Sequence, residues 1–396
     1  MSEPLKQHLI DPEICIRCHA CVEACPKDAI TFNEDNVVVD AGICDQEMAC
    51  IGPCPTGASD NWRLVETPYS LEEQFGWFEL PEQETVATGG GERAVEALDE
   101  AVAALLAEAH RGAGGAAVAP ASAARPTVNL YASASPLTAT VQGNFRLTRE
   151  DADSDVRHII LDLGEARFPV LEGQTVGIIP PGTGSTGRAH APRLYSVSSP
   201  RDGERPNTNN LSLTVKREEG GLCSNYLCDL TRGDRVRLTG PFGASFLIPE
   251  DPQARLIMIC TGTGSAPFRA FTMHRQRVMP GVTGTMKLFF GARSPDSLPY
   301  FGPLAKVPQA FLEKHFAFSR VPGQPKTHVQ DRLREDAENL APMLEDAGTH
   351  IYLCGLKAME AGVDSALSDI ARAAGLDWAA LRDRMRTEGR YHVETY

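Results

Sequence analysis

The feature that most limits how this chain can fold is a run of four cysteines near its start, Cys15-x2-Cys18-x2-Cys21-x3-Cys25-Pro26. Thiolates three residues apart on a tight loop can reach three corners of one iron–sulfur cubane, and a fourth cysteine followed by proline serves a second cluster. Structural zinc sites use paired CxxC groups instead. A second run, Cys44-x5-Cys50-x3-Cys54-Pro55, places Glu47 where the pattern expects another cysteine. Crossed ligation gives Cys15, Cys18, Cys21 and Cys54 to a first, complete 4Fe-4S cluster. The second has Cys25, Cys44 and Cys50, with Glu47 at its fourth corner. It is then a 3Fe-4S cluster, or a 4Fe-4S cluster with a carboxylate or water ligand. The bland alternative is a solvated Glu47 beside a lost cluster.

Seven of the eleven cysteines fall between Cys15 and Cys54, while Cys223, Cys228, Cys260 and Cys354 are scattered. Dense, regular spacing reads as metal ligation rather than disulfides. Charge is just as uneven. Of the net −14, residues 1–80 carry −11 and residues 81–135 carry −4. That argues against nucleic acid or an anionic membrane as partner. It suits a basic docking surface on a redox partner, or solubility alone. The first ten residues hold no secretory stretch, and no apolar run could span a bilayer, so a cytoplasmic protein is expected.

A chain of 396 residues exceeds one ordinary core. Residues 1–80 are expected to form an α+β ferredoxin-like domain. Residues 81–135 read as an Ala/Gly-rich linker with a short helix within 94–110. Over 136–251, the runs HIILDL, TVGIIP, LYSVSS, LSLTVKR and RVRLTGPFG predict an antiparallel β-barrel. Over 252–396, RLIMIC, MKLFFGAR, FAFSR and HIYLCG alternate with helical segments, which predicts an α/β domain with a doubly wound parallel sheet.

Candidate site residues lie on these two domains. Arg193-Leu194-Tyr195-Ser196 opens a barrel strand. Its Arg offers a planar fork to a pyrophosphate, and Tyr195, on the same face, can stack on a flavin ring whose reactive nitrogen Ser196 can reach. Gly221-Leu222-Cys223-Ser224 follows as a turn into a helix. Such a turn presents free N–H groups to phosphate, or else is an ordinary cap at Ser224. Gly262-Thr263-Gly264-Ser265-Ala266-Pro267 comes directly after an apolar strand and opens a helix, as a pyrophosphate turn does, although Pro267 departs from GxGxxG. Cys354-Gly355 ends another apolar strand, on the side where such sheets bind ligands.

Together these pieces resemble plant-type ferredoxin–NADP reductases over residues 137–396. The matching segments are RLYS, TVKR with Lys216, GLCSNYLCDL, LTGPFG, TGTGSAPFR, FAFSR, YLCGLKAME and VETY. The resemblance implies FAD bound by Arg193, Tyr195, Ser196, Cys223 and Ser224. It implies the NADPH 2′-phosphate at Ser319, Arg320, Lys326 and Gln330, with His328 where the family usually has a Tyr. It implies hydride transfer at Cys354 and Glu394, with Tyr396 over the flavin. The loop between Lys216 and Gly221 is shorter than the family's. The ferredoxin fusion, PTGASDNWR and FGWFELP resemble the reductase components of benzoyl-CoA 2,3-epoxidases, used in aromatic degradation. That resemblance implies a separate di-iron oxygenase subunit as electron acceptor.

Overall fold

The computed structural model describes residues 5–12, 15–47, 49–51, 53, 54, 56, 58, 59, 61–81, 114–183, 190–279, 281 and 284–396. The short helix expected within 94–110 lies outside them. The chain divides into two compact units, Met1–Ala94 and Val95–Tyr396.

The first unit is built from two small antiparallel ribbons. Strand β1 (Leu5–Leu9) is followed by the helix Ala20–Ala24, β2 (Ile30–Phe32), β3 (Val37–Val39), β4 (Asn61–Val65) and the helix Leu71–Phe75. β1 pairs with β4, and β2 with β3. The core consists of Ile10, Ile30, Val37, Val39 and Ala58 around the buried Cys21 and Cys50, so the cysteines lie inside it. A core this small contributes modestly, and ligands bound by those thiols would add to it. The end of the unit is tied down by polar side chains. Buried Gln74 bonds both the N–H and the carbonyl of Val39, at 3.1 and 2.9 Å. Asn36 donates to the carbonyls of Phe75 and Trp77.

In the second unit, the predicted barrel forms from β5 (Leu137–Arg146), β6 (Val156–Asp162), β7 (Thr175–Ile179), β8 (Arg193–Ser196), β9 (Asn210–Lys216) and β10 (Arg235–Phe242). The sheet order is β8-β7-β10-β5-β6-β9, and an antiparallel bridge between Val197 and Leu213 joins its two edges. Inward-facing residues such as Val141, Ile159, Val176, Leu211 and Val236 fill the interior. The helix Leu222–Asp229 packs against β9.

The second domain of this unit is a five-stranded parallel sheet. Its strands are β11 (Arg255–Thr261), β12 (Met286–Ala292), β13 (Glu313–Phe318), β14 (Thr349–Gly355) and β15 (Tyr391–Thr395), in the order β13-β12-β11-β14-β15. Sequence periodicity gives four of these strands. The fifth is formed by the residues just before the terminal tyrosine. Alternate residues of β11 enter different cores: Ile257 and Ile259 pack with the helices Val329–Glu335 and Glu360–Ala373, while Leu256, Met258 and Cys260 pack with Phe268 and Phe271 of the helix Ser265–Val278. Burial on both faces explains why these strands read as continuous apolar runs.

Two buried polar networks hold the barrel to the parallel-sheet domain. Glu204 accepts from both terminal nitrogens of Arg269, at 2.8 and 2.9 Å, and lies 3.1 Å from His158 Nε2. The fully buried Glu172 binds Arg201 at 2.6 Å and lies 3.2 Å from His274. From Gly114 onward, the segment expected as linker runs along this unit. The Ala116 N–H bonds the Tyr391 carbonyl, Ala123 bridges Pro249, and Tyr131 bridges Gly240.

Candidate functional site

The C-terminal ends of β11, β14 and β15 put Cys260, Cys354 and Glu394 side by side in register. From the facing barrel, Ser196 Oγ and Thr175 Oγ1 each donate to Glu394 Oε1 at 3.1 Å. Thr175 and Ser196 are themselves paired across β7 and β8. Three residues named from sequence, Cys354, Glu394 and Ser196, therefore meet at one point, and Thr175 joins them. Thr175 carries no signal in sequence, because a threonine in a strand is ordinary. The Cys354 thiol is buried. Burial, then the neighbouring Glu394 carboxylate and Cys260, push its pKa far up, so it stands here as a neutral group.

Tyr396 follows directly. Its N–H bonds the Gly355 carbonyl at 3.0 Å, and its hydroxyl lies 2.6 Å from Thr263 Oγ1 in the glycine turn. As a whole residue Tyr396 is 60% exposed, while burial of its phenol raises the hydroxyl pKa.

The glycine turn divides its work. Gly262 has φ 56° and open space at its missing side chain, as a phosphate cradle requires. Gly264 instead serves packing: a Cβ there would stand 2.2 Å from the Cys354 carbonyl oxygen. Residues 262–264 form a single 3-10 turn leading into the helix Ser265–Val278, within which Pro267 is buried.

On the barrel, Arg193 is exposed at the start of β8. Half-buried Tyr195 lies against Cys223, and burial followed by that thiol raises its phenol pKa. Cys223 thus joins β8 to the helix Leu222–Asp229. The cap of that helix is Gly221 rather than Ser224. A side chain at Gly221 would stand 2.4 Å from Ser224 Oγ, which accepts from the Glu218 N–H. Lys216, at the end of β9, is paired with Glu218 at 2.6 Å. Ser319, Arg320, Lys326 and His328 all lie on the loop after β13, which closes where the Thr327 N–H meets the Phe318 carbonyl. Arg320 is exposed and lies 3.8 Å from Asp153. Gln330 is the second residue of the next helix, Val329–Glu335, against Gly362.

In the first unit, the cysteines sort into two cavities. One is lined by Cys15, Cys18, Cys21 and Cys54. The other is lined by Cys25, Cys44 and Cys50 with Glu47 and His8. Burial, then the charges of Cys54 and Cys15, push Cys21 up to about 11. Burial, with Cys25 and Cys44 among the thiols adding to it, pushes Cys50 up to about 11. For Cys54, hydrogen bonds with Ser59 and Thr56 outweigh burial and hold the thiol at about 7. Sets of thiols that oppose one another's ionisation suit a cationic iron–sulfur core, which would offset that repulsion. His8 is a cavity residue that cysteine spacing alone does not reveal.

Residues 148–246 match the description "Oxidoreductase FAD-binding domain", residues 258–365 "Oxidoreductase NAD-binding domain", and residues 8–31 "4Fe-4S binding domain". A ferredoxin–NADP reductase of Spirulina sp is 38% identical over 288 residues, spanning 68% of this chain and 98% of the relative. The chain belongs to the ferredoxin–NADP reductase family. It is an NADPH-dependent flavin oxidoreductase with an added N-terminal 4Fe-4S motif. Another ferredoxin–NADP reductase, from Thermosynechococcus vestitus, is 37% identical over 356 residues, covering 84% of this chain and 90% of its own. Among solved structures, ferredoxin–NADP+ reductase from Plasmodium falciparum aligns with TM-score 0.56 and 27% identity, over 68% of this chain and all of that one. The same enzyme with 2′P-AMP aligns with TM-score 0.55 and 25% identity, over 68% of this chain and 100% of that one. Among the described residues, no helix is long and apolar enough to cross a membrane.

Proposed function

We propose that this ferredoxin–NADP reductase takes hydride from NADPH beside Cys354, Glu394 and Ser196, and delivers single electrons through its N-terminal unit to a separate protein. The observation that carries the reading is the convergence of the Ser196 and Thr175 hydroxyls on one carboxylate oxygen of Glu394, beside Cys354. When bound, FAD supplies the change from hydride to single-electron transfer, and iron–sulfur clusters supply the one-electron carriers.

The residues of the chain do the positioning. Arg193, Lys216, Gly221 and Ser224 offer donors and free backbone to the FAD phosphates, while Tyr195 and Cys223 form the wall against its ring. Gly262, Thr263 and Gly264, with Pro267 behind them, form the pyrophosphate turn for NADPH. Ser319, Arg320, Lys326 and Gln330 take the 2′-phosphate end, a reading supported by the 2′P-AMP complex of the Plasmodium relative. The neutral Cys354 presents an uncharged, polarisable surface to the nicotinamide. Glu394, held by two hydroxyls, presents a fixed acceptor. Tyr396 covers the place that the nicotinamide must take.

The electron acceptor is a di-iron oxygenase subunit of the benzoyl-CoA 2,3-epoxidase kind. The ferredoxin fusion and the segments PTGASDNWR and FGWFELP support this reading. The N-terminal charge of −11 favours docking to a basic patch on such a partner. The test is reconstitution of the full-length protein with a purified benzoyl-CoA epoxidase oxygenase component and, in parallel, with a free ferredoxin. Epoxidation driven by NADPH, lost when residues 1–113 are removed while ferricyanide reduction persists, supports the reading. Efficient reduction of ferredoxin alone would assign the protein to general ferredoxin–NADP exchange instead. Equal oxygenase turnover after the removal would make the N-terminal unit a docking or redox-sensing module.

A further inference from the structure

The guanidinium of Arg320 already has an anion beside it, and that anion comes from the barrel. Arg320 lies just past β13 and Arg293 just past β12, two neighbouring strands, and the Arg320 N–H donates to the Arg293 carbonyl at 2.7 Å. Both side chains face one atom, Asp153 Oδ2, which lies 3.5 Å from Arg293 Nη1 and 3.8 Å from Arg320 Nη1. Asp153 belongs to the loop between β5 and β6. That loop rests on the turn after β12, where the Arg149 N–H donates to the Asp296 carbonyl at 3.2 Å. The Arg149 side chain lies 3.3 Å from Asp151 and 3.6 Å from Asp296, so those two acids share a cation of their own. Asp153 is the acid of this loop that faces Arg320.

Both contacts of Asp153 are longer than the 2.7–2.9 Å or so of a close charge-assisted hydrogen bond. The carboxylate and the Arg320 guanidinium are 62% and 61% exposed, so parting them costs little desolvation. A phosphate that approaches in bidentate fashion makes shorter and stronger bonds to the same guanidinium and takes it. Asp153 does not then leave the neighbourhood, because Arg293 and the docked loop still hold it. Its negative charge stays within a Debye length of the phosphate, about 8 Å at physiological salt, and opposes it. A coenzyme without a 2′-phosphate has no charge at this place to oppose.

We propose that Asp153 is a specificity-determining residue: anchored by Arg293, it competes with the coenzyme 2′-phosphate for Arg320 and weakens the binding of NADPH and NADP+ while leaving NADH and NAD+ untouched. The barrel thereby sets how long a coenzyme stays on the parallel sheet. This inference rests on the reading of Arg320 as a 2′-phosphate residue.

The test is calorimetric binding of 2′P-AMP, and of 5′-AMP as the control without a 2′-phosphate, to the full-length FAD-loaded protein. Asp153→Asn keeps the size of an exposed loop side chain and removes its charge. It should tighten 2′P-AMP binding about threefold, the scale of an exposed charge contact, and leave 5′-AMP unchanged. Asp153→Glu keeps the charge and should bind as the unaltered protein does. The gain in Asp153→Asn should shrink as salt rises, and should be smaller in an Arg320→Ala background. Unchanged or weaker 2′P-AMP binding in Asp153→Asn, in a protein where Arg320→Ala weakens it, would overturn the proposal; weaker binding would mean that Asp153 orders the arginine for phosphate. An equal gain for 5′-AMP would overturn it too, since the charge would then act on any nucleotide. If Arg320→Ala leaves 2′P-AMP binding unchanged, the 2′-phosphate reading of Arg320 fails, and this inference with it.

Discussion

At the scale of single residues, the site brings together an acid, a thiol and two hydroxyls. Glu394 accepts from Ser196 and Thr175, so Glu394→Gln keeps an accepting oxygen and removes the charge. Turnover with NADPH should fall at least about tenfold, or ~1.4 kcal/mol of barrier, with the barrel–sheet contact intact by circular dichroism. Cys354→Ala should slow flavin reduction in stopped flow with little change in NADPH affinity, since the thiol is neutral and binds no phosphate. An unchanged hydride-transfer rate would remove Cys354 from the mechanism. Arg320 is exposed, and its contact to Asp153 is long and solvent-screened, so its guanidinium is free to take a phosphate. Arg320→Ala should raise KM for NADPH and leave NADH use nearly unchanged, narrowing a preference of at least about tenfold.

At the scale of elements, the joint between barrel and parallel sheet depends on buried carboxylates. Glu172 lies between Arg201 and His274, and hydrogen bonds from both outweigh burial and hold its carboxyl at about 2. A carboxyl depressed in the folded state contributes stability that is complete above its unfolded value, about 4.5. That stability is lost as pH falls toward about 2. The reductase unit should therefore lose thermal stability steeply across this window. Glu172→Gln removes the fully buried carboxylate and leaves Arg201 paired with Glu250 alone. It should lower stability by about 3 kcal/mol at neutral pH and flatten the acid limb of the curve. Calorimetry of the wild-type and Glu172→Gln proteins between pH 2 and 7 checks both outcomes, and parallel curves would exclude Glu172 as the acid-sensitive group.

At the scale of the whole chain, composition draws the border between linker and reductase too late. The residues from Gly114 have linker-like composition, yet Ala116 is buried and bonded to β15, the strand that carries Glu394. A chain beginning at Gly114 should fold, bind FAD and reduce ferricyanide with NADPH. One beginning at Pro126 loses the Ala116–Tyr391 and Ala123–Pro249 pairings and should melt several degrees lower, at about 2–4 °C per kcal/mol for a unit of this size. Identical melting of the two would show that the strap adds nothing. Oxygenase reduction by the full-length protein should fall with salt, while dye reduction stays level, if the acidic N-terminal unit docks electrostatically.

The sequence by itself determined what local spacing can fix. Cysteines three residues apart must share a loop, and the structure sorts them into the two sets that crossed ligation requires, with Glu47 on the second. Apolar runs of strand length and the Gly262–Gly264 turn were legible for the same reason, since each is written within a few consecutive residues. Contacts between distant segments were decided only by the tertiary structure. Thr175 and Ser196 meet Glu394 across about 200 residues of chain because the barrel strands β7 and β8 face the ends of the parallel sheet. β15 forms because β14 offers an open edge to the last residues. Gly264 is needed for the carbonyl of Cys354 rather than for a phosphate. His8 reaches Cys44 because the β1–β4 register turns it inward onto Trp62. Sheet register and packing set those distances, and neither has a signature in residue order alone.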